Sequence, residues 1–198
     1  MYGPDRTSEA RQAAAIAGRI PPGSVVLADA GFGIFSVAYA MVCAGHEILF
    51  RLRKSRFKAL RRRAERTDQT EEGACYRATW TPSAKDRRTN PDLPAAAPLE
   101  VWLHEVQLPN GESLYLVTTL GGSSAAAARY YSHRYDVEHD IRDVKVSLGV
   151  ENIRAQSDEM VHKELLCSIA AYNLVVQSRR AAAAAAGRAS NDERGAIA

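Results

Sequence analysis

The chain has 198 residues, enough for one domain with a substantial core, and its hydrophobic fraction of 46% and charged fraction of 25% are typical of water-soluble domains. A formal net charge of only +3 excludes a polycation. The longest apolar stretch, Ile34–Gly45, is shorter than the roughly 20 residues of a membrane-spanning helix, and the acidic N-terminal residues do not fit a secretory signal. We therefore expect a cytoplasmic protein without a membrane partner.

Residues 1–55 predict alternating helices and strands. The Ala-rich segment Thr7–Ile20 is typical of a helix. The apolar run Ser24–Leu27 predicts a buried strand with Asp29 at its carboxyl end. A helix over Ile34–Ala44 and a second strand over Glu47–Arg53 follow. We interpret this part as a partial α/β core.

Residues 56–120 have a different pattern, which indicates a β-rich insertion. The first part, Arg56–Thr70, is polar and basic, and Thr81–Pro98 is typical of an extended loop. Between and after these parts, apolar runs predict three strands, the last two joined by a tight Asn110-Gly111 turn: Cys75–Trp80, Leu99–Leu108 and Ser113–Thr119.

Residues 121–180 return to a helical pattern. One helix is predicted from Ser123 to about Leu148, and Ser157 is expected to cap a second. Both helices are assigned to the same core as residues 1–55. The Ala-rich segment 181–198 is predicted to fray and become disordered.

Four residues of the first of these helices combine an acid with cations. Tyr131, Arg134, Glu138 and Lys145 are separated by steps of 3, 4 and 7, so they share one helical face. A carboxylate among cations can bind a metal and a phosphate together. The same spacing also fits a solvent-exposed charged face, and the spacing alone does not separate the two.

The segment Tyr131–Lys145 matches the Y-x2-R-x3-E-x6-K signature of DDE transposases of the insertion-sequence-4 group. Leu27–Gly33 resembles that family's strand ending in Asp before a Gly-Phe turn, and Ile48–Arg53 resembles its next strand. The likeness covers Ser24–Val176. It implies a ribonuclease-H-like α/β fold, a mixed sheet flanked by helices, with a β-rich insertion before the last catalytic helix.

The resemblance also implies DNA transposition, a form of DNA recombination, by strand cleavage and strand transfer on double-stranded transposon ends and target DNA. Its three carboxylates hold two Mg²⁺ ions, with Mn²⁺ as an alternative. By position, Asp29 and Glu138 are the catalytic, metal-binding second and third acids. Tyr131, Arg134 and Lys145 match residues that contact DNA phosphates. Because the family acts in multimeric complexes, a homo-oligomer on DNA is a further expectation.

One departure concerns the family's first acid. Only 28 residues precede Asp29, and the Asp among them, Asp5, follows Pro4 in no strand pattern. We therefore expect an N-terminally truncated transposase without that acid and without the first strands. Metal occupancy and strand cleavage should suffer, and the strand ending at Asp29 should have an unpaired edge. The DNA upstream of Met1 tests this expectation.

A dense basic run follows the second predicted strand. It can neutralise several phosphates and predicts sequence-independent DNA binding, although a solvated basic loop has the same composition. An alternative function is therefore that of a non-catalytic DNA-binding fragment, and a third is that of an inactive relic. The run consists of Arg51, Arg53, Lys54, Arg56, Lys58, Arg61, Arg62 and Arg63.

The cysteine, histidine and tryptophan side chains are expected to have structural roles. The cysteines contain no CxxC, which argues against a disulfide framework or a zinc site. The histidines show no ligand spacing, and both tryptophans fall on predicted strands, where packing is expected. These residues are Cys43, Cys75 and Cys167; His46, His104, His133, His139 and His162; and Trp80 and Trp102.

Overall fold

The computed structural model describes residues 9–71, 73–94, 96–147, 155 and 157–195. The chain forms two compact units, Met1–Arg134 and Tyr135–Ala198. The first unit contains all the described strands, and the second contains most of one helix and the whole of another. Asp5 lies outside the described residues, so the prediction about a first acid stays a prediction.

The first unit is built on a six-stranded mixed sheet with the order β1-β2-β6-β5-β4-β3. β1 and β2 are parallel, and all the other neighbours are antiparallel. Flanked by helices, this sheet confirms the predicted α/β, ribonuclease-H-like arrangement. Its strands are β1 Val25–Ala28, β2 Glu47–Arg51, β3 Glu65–Thr70, β4 Gly73–Trp80, β5 Leu99–Gln107 and β6 Ser113–Thr118.

Five α-helices belong to the first unit, and a single 3-10 turn, Ala17–Arg19, follows the first of them. They are α1 Glu9–Ala15, α2 Phe35–Cys43, α3 Lys54–Arg61, α4 Ala84–Thr89 and α5 Ser124–Ser132. Two further helices follow, α6 Arg134–Ser147 and α7 Asp158–Gly195. None of the described helices is both long and apolar enough to cross a membrane.

Each face of the sheet carries its own apolar cluster because successive strand residues point to opposite sides. On one face, Ile48 and Phe50 of β2 pack with residues of α2 and α3, including the fully buried Phe57. On the other face, Leu49 packs with Tyr131 of α5. The result is a three-layer arrangement with the sheet in the middle.

The segment predicted as a β-rich insertion supplies four of the six strands, and they continue the same sheet as β1 and β2. β6 pairs directly with β2, with Phe50 opposite Val117. Among the described residues β1 has β2 as its single neighbour, and the unpaired edge expected from a truncation stays a prediction. Val25 on β1 is 47% exposed.

Two stretches for which no helix or strand was predicted contain regular elements. The basic stretch forms α3 because Phe57 anchors it to the core, and then forms the fully exposed strand β3 through backbone pairing with β4. The predicted loop 81–98 contains α4. Its capping box joins Ser83 and Asp86, whose carboxylate accepts the Ser83 N–H at 2.9 Å. All three elements have few apolar residues, and apolar periodicity is the main sequence signal for helices and strands.

The helix predicted from Ser123 is divided into two in the structure. It is interrupted at His133, whose N–H bonds to the Tyr130 carbonyl at 3.2 Å in a tightened last turn. Residues 181–195 of the tail, predicted as a fraying helix that becomes disordered, belong to α7, and the disorder stays a prediction. The predicted end near Leu148 lies outside the described residues.

Candidate functional site

Asp29 directly follows β1, at the carboxyl ends of the strands β1 and β2, and we call this end of the sheet the edge. The parallel register places Ala28 opposite Phe50, so Asp29 comes opposite Arg51, and both side chains are exposed. Oδ1 of Asp29 accepts hydrogen bonds from the backbone N–H groups of Gly31 at 2.9 Å and Phe32 at 3.3 Å. Through Oδ1, the Asp29 carboxylate therefore stabilises the turn that follows it. No described residue donates a hydrogen bond to Oδ2.

The turn after Asp29 is packed tightly against the end of β2. The Gly33 N–H bonds to the Asp29 carbonyl at 3.0 Å. A Cβ at Gly33 would lie 2.1 Å from the Arg51 carbonyl oxygen, so only glycine fits. The Arg56 guanidinium donates to the Gly33 carbonyl. Arg56 and Gly33 together fix the position of the loop that carries Asp29.

Tyr131 of α5 lies in the apolar cluster between this helix and the sheet, with Leu49 of β2. Its side chain is 2% exposed, and its hydroxyl is buried without a hydrogen bond of normal geometry to any described residue. The Arg134 guanidinium carbon lies 5.6 Å from the centre of the Tyr131 ring, within cation–π range. A buried donor without a partner is costly, so the Tyr131 hydroxyl calls for an explanation such as a functional role or a bound water or ion.

The pKa of Tyr131 shows which charges surround the hydroxyl. Burial raises this pKa, the nearby Arg134 and Arg51 lower it, and Asp29 adds a smaller upward contribution. The polar contact between Tyr131 and Arg134 also lowers it but falls short of normal hydrogen-bond geometry. Four groups of the first unit thus act on one another through their charges or polar groups, and we call them the edge cluster: Asp29, Arg51, Tyr131 and Arg134.

Glu138 and Lys145 belong to the second unit. Both lie on α6 with exposed side chains, seven residues apart and hence on one side of the helix. Among the described residues no group of three or more Asp, Glu, His or Cys side chains could hold a metal. Asp29 and Glu138 nevertheless offer exposed carboxylates, the donor type that Mg²⁺ prefers. Their role as metal ligands stays a prediction.

The basic run is divided by the fold into anchored and exposed cations. Arg56 holds the Asp29 loop. Burial lowers the pKa of the Arg56 guanidinium, and the nearby Asp86 acts in the opposite direction and raises it. Arg61 forms an ion pair with Glu105 at 2.8 Å and lies over the Tyr76 ring. The others have exposed side chains: Arg51, Arg53, Lys54, Lys58, Arg62 and Arg63.

Sequence reasoning placed Arg51 in that run and did not connect it with Tyr131. The signal was available in principle. Asp29 and Arg51 each end a predicted strand, and the carboxyl ends of neighbouring parallel strands meet at one edge of a sheet. The effect of the Arg51 charge on the Tyr131 pKa depends on how α5 packs, which no local pattern encodes.

The structural roles predicted for the other side chains fit the described residues. His104 is buried against the Ser124 hydroxyl at 3.2 Å, and burial lowers its pKa to about 4. Trp80 packs edge-on against Phe35 with ring centres 5.6 Å apart, which confirms its core role. Cys43, Cys75 and Cys167 are free thiols.

The family model "Transposase DDE domain" matches residues 1–174 of the chain. No curated protein matches the chain. Members of this family transpose DNA and generally use divalent metal ions. Because the match covers well over half of the chain, the protein belongs to the transposase DDE domain family.

Proposed function

We propose that this protein cleaves and transfers DNA strands as a transposase of the insertion-sequence-4 group. The observation that supports this most strongly is the buried Tyr131 hydroxyl, which has no hydrogen bond of normal geometry among the described residues and lies where the charges of Arg134, Arg51 and Asp29 act on it. Guanidinium groups and a hydroxyl are hydrogen-bond donors that suit the oxygens of a phosphodiester.

In this mechanism the cations position the DNA. The guanidinium groups of Arg51 and Arg134 would bind the non-bridging oxygens of one phosphodiester, for which their planar donor pairs are suited. Burial raises the Tyr131 pKa, so the hydroxyl stays protonated and can donate to the same group. Lys145 would contact a neighbouring phosphate.

Asp29 and Glu138 would hold Mg²⁺, or Mn²⁺ in its place. Bound divalent ions lower the pKa of an attacking water and neutralise charge on the attacking and leaving oxygens. Gly33 and Arg56 would keep the Asp29 carboxylate in place through the loop they fix. The substrates are double-stranded transposon ends and target DNA, and the family's multimeric complexes support a homo-oligomer on DNA.

The test is Mg²⁺-dependent nicking of supercoiled DNA that carries the sequences flanking this coding region. Asp29→Asn and Glu138→Gln should each lower the rate by about two to three orders of magnitude, the range for losing one group that stabilises developing charge. DNA binding should survive both changes. Glu112→Gln, at an exposed acid of the β5–β6 turn, is the matched control and should nick normally. Equal rates in all three variants would disprove the assignment.

A non-catalytic DNA-binding fragment is the second candidate. The six exposed cations of the basic run favour it, as does the single carboxylate of the edge cluster. Such a protein would bind DNA in a salt-dependent manner and give no metal-dependent nicking. Under the third interpretation, an inactive relic, the protein would not be detected in cells.

A further inference from the structure

A groove with a volume of about 850 Å³ lies between α3, the end of β4 and α4. We call it the α3–α4 groove. Five cations and one acid line it, which gives a formal charge of 5 − 1 = +4. The remaining lining residues are mostly hydroxyl, amide and small apolar groups. The charged residues are Arg53, Arg56, Arg62, Arg63, Lys85 and Asp86.

Two of these charges are already used by the fold. Asp86 Oδ2 accepts the Ser83 N–H at 2.9 Å and the Ser83 hydroxyl at 2.6 Å, which caps α4. Arg56 is half-buried and donates to the Gly33 carbonyl. The positive charge of Arg56 also interacts with Asp86. The negative charge of Asp86 is thus offset by the positive charge of Arg56, the half-buried cation of the groove.

The other four cations are available to a ligand. Arg53, Arg62, Arg63 and Lys85 have exposed side chains, and none of them forms an ion pair with a described residue. They come from both walls of the groove, α3 with its flanking residues on one side and α4 on the other. Cations facing each other across a concave surface create a strong local attraction for anions.

From this arrangement we infer that the α3–α4 groove binds the DNA phosphate backbone without reading sequence. The inference rests on the proposed function, which makes DNA the substrate. Compared with the DNA-binding residues predicted from the basic run, this inference adds Lys85, which lies outside the run. It leaves out Arg56 and Arg61, because their side chains are engaged in contacts within the fold. Arg56 lines the groove and donates to the Gly33 carbonyl, so the groove adjoins the loop that carries Asp29.

The arrangement of the cations favours a polyanion over a small anion. Four exposed cations spread over two walls of a wide groove can each meet a different phosphate. A site for one phosphate group would instead bring donors to a single buried point. Binding should therefore depend steeply on salt, because each neutralised phosphate releases a counterion.

The experiment measures binding of a fluorescent duplex of random sequence in EDTA, over a series of salt concentrations. EDTA removes divalent ions, so catalysis does not enter. The groove variant Arg62→Ala/Lys85→Ala removes two lining cations. The matched control Arg87→Ala/Arg88→Ala removes two exposed cations of α4 that do not line the groove.

We expect the groove variant to reduce the slope of log K against log salt by about 1.8, or about 0.9 for each lost phosphate contact. Its affinity should fall by roughly tenfold to a hundredfold. The control should keep the wild-type slope and lose no more than about threefold in affinity. Circular dichroism should show that both variants are folded, as expected for exposed side chains.

Three results would overturn the inference. The first is equal slopes for the groove variant and the wild type. The second is equal losses in both double variants, which would mean that overall charge alone matters. The third is displacement of the duplex by inorganic phosphate at concentrations too low to act through ionic strength, which would mean a small-anion site. Failure of nicking with the slope difference intact would instead sink only the proposed catalysis.

Discussion

Replacing Gly33 by alanine tests whether the loop that carries Asp29 must pack tightly against β2. The added Cβ would lie 2.1 Å from the Arg51 carbonyl oxygen, whereas real Cβ atoms keep at least 3.0 Å. The loop must therefore move by at least about 0.9 Å, the difference between these distances. The contact is with backbone, so a side-chain rotation cannot relieve it.

Two effects should follow from this displacement. Forcing a methyl group into a packed contact should lower the free energy of unfolding by about 1–3 kcal/mol. A shift of about 1 Å in a catalytic group can lower a rate by about 100-fold, so nicking should fall by a similar factor. Urea unfolding measures the first effect, and the plasmid nicking assay measures the second.

Two other glycines separate the possible causes. Gly18→Ala meets nothing within 4 Å, so it should leave stability and nicking nearly unchanged. Gly45→Ala also has open space, but Gly45 has φ of +82°, so this variant should be destabilised by about 1 kcal/mol without losing nicking in the folded protein. If Gly33→Ala behaved like Gly18→Ala in both assays, the argument from the Arg51 contact would fail.

Two further predictions concern buried polar groups. The His104 pKa of about 4 lies below the unfolded value of about 6.5, so its neutral form stabilises the fold fully above the unfolded value and less as pH falls towards 4. Between about pH 7 and pH 5, the free energy of unfolding, measured by urea unfolding, should fall by about 2 kcal/mol more in the wild type than in His104→Leu. Parallel pH profiles of the two proteins would contradict this. Tyr131→Phe removes a hydroxyl without a normal hydrogen bond, so the free energy of unfolding should stay the same or rise while nicking falls. A loss of stability that accounts for the loss of nicking would mean that the hydroxyl serves the fold.

Local patterns were sufficient for several parts of this fold. The strand before Asp29 and the Asn110-Gly111 hairpin were predicted because their signals lie within a few residues. The structure contains β1 at Val25–Ala28, and in the hairpin the Leu108 N–H bonds to the Glu112 carbonyl at 2.8 Å. Gly111 has the positive φ of 81° that such turns require.

Polar elements were missed for a common reason. α3, β3 and α4 have few apolar residues, and periodicity is the main sequence signal for helices and strands. β3 is fully exposed and is held by backbone pairing with β4. One buried ring, Phe57, anchors α3, and nothing local indicates that this ring meets the Tyr115 ring at 4.8 Å. Long-range contacts decided these elements.

The sequence by itself determined the chemistry available to this protein: an acid after a strand, and a Tyr-Arg-Glu-Lys series that points to DNA transposases. These features can be recognised because residue type and spacing are local. Only the tertiary structure decided which groups meet. It placed Arg51 where its charge lowers the Tyr131 pKa, engaged Arg56 and Arg61 in contacts within the fold, and brought Lys85 to the groove with Arg62. The interaction between two charges depends on their distance in space, and their separation along the chain does not determine that distance.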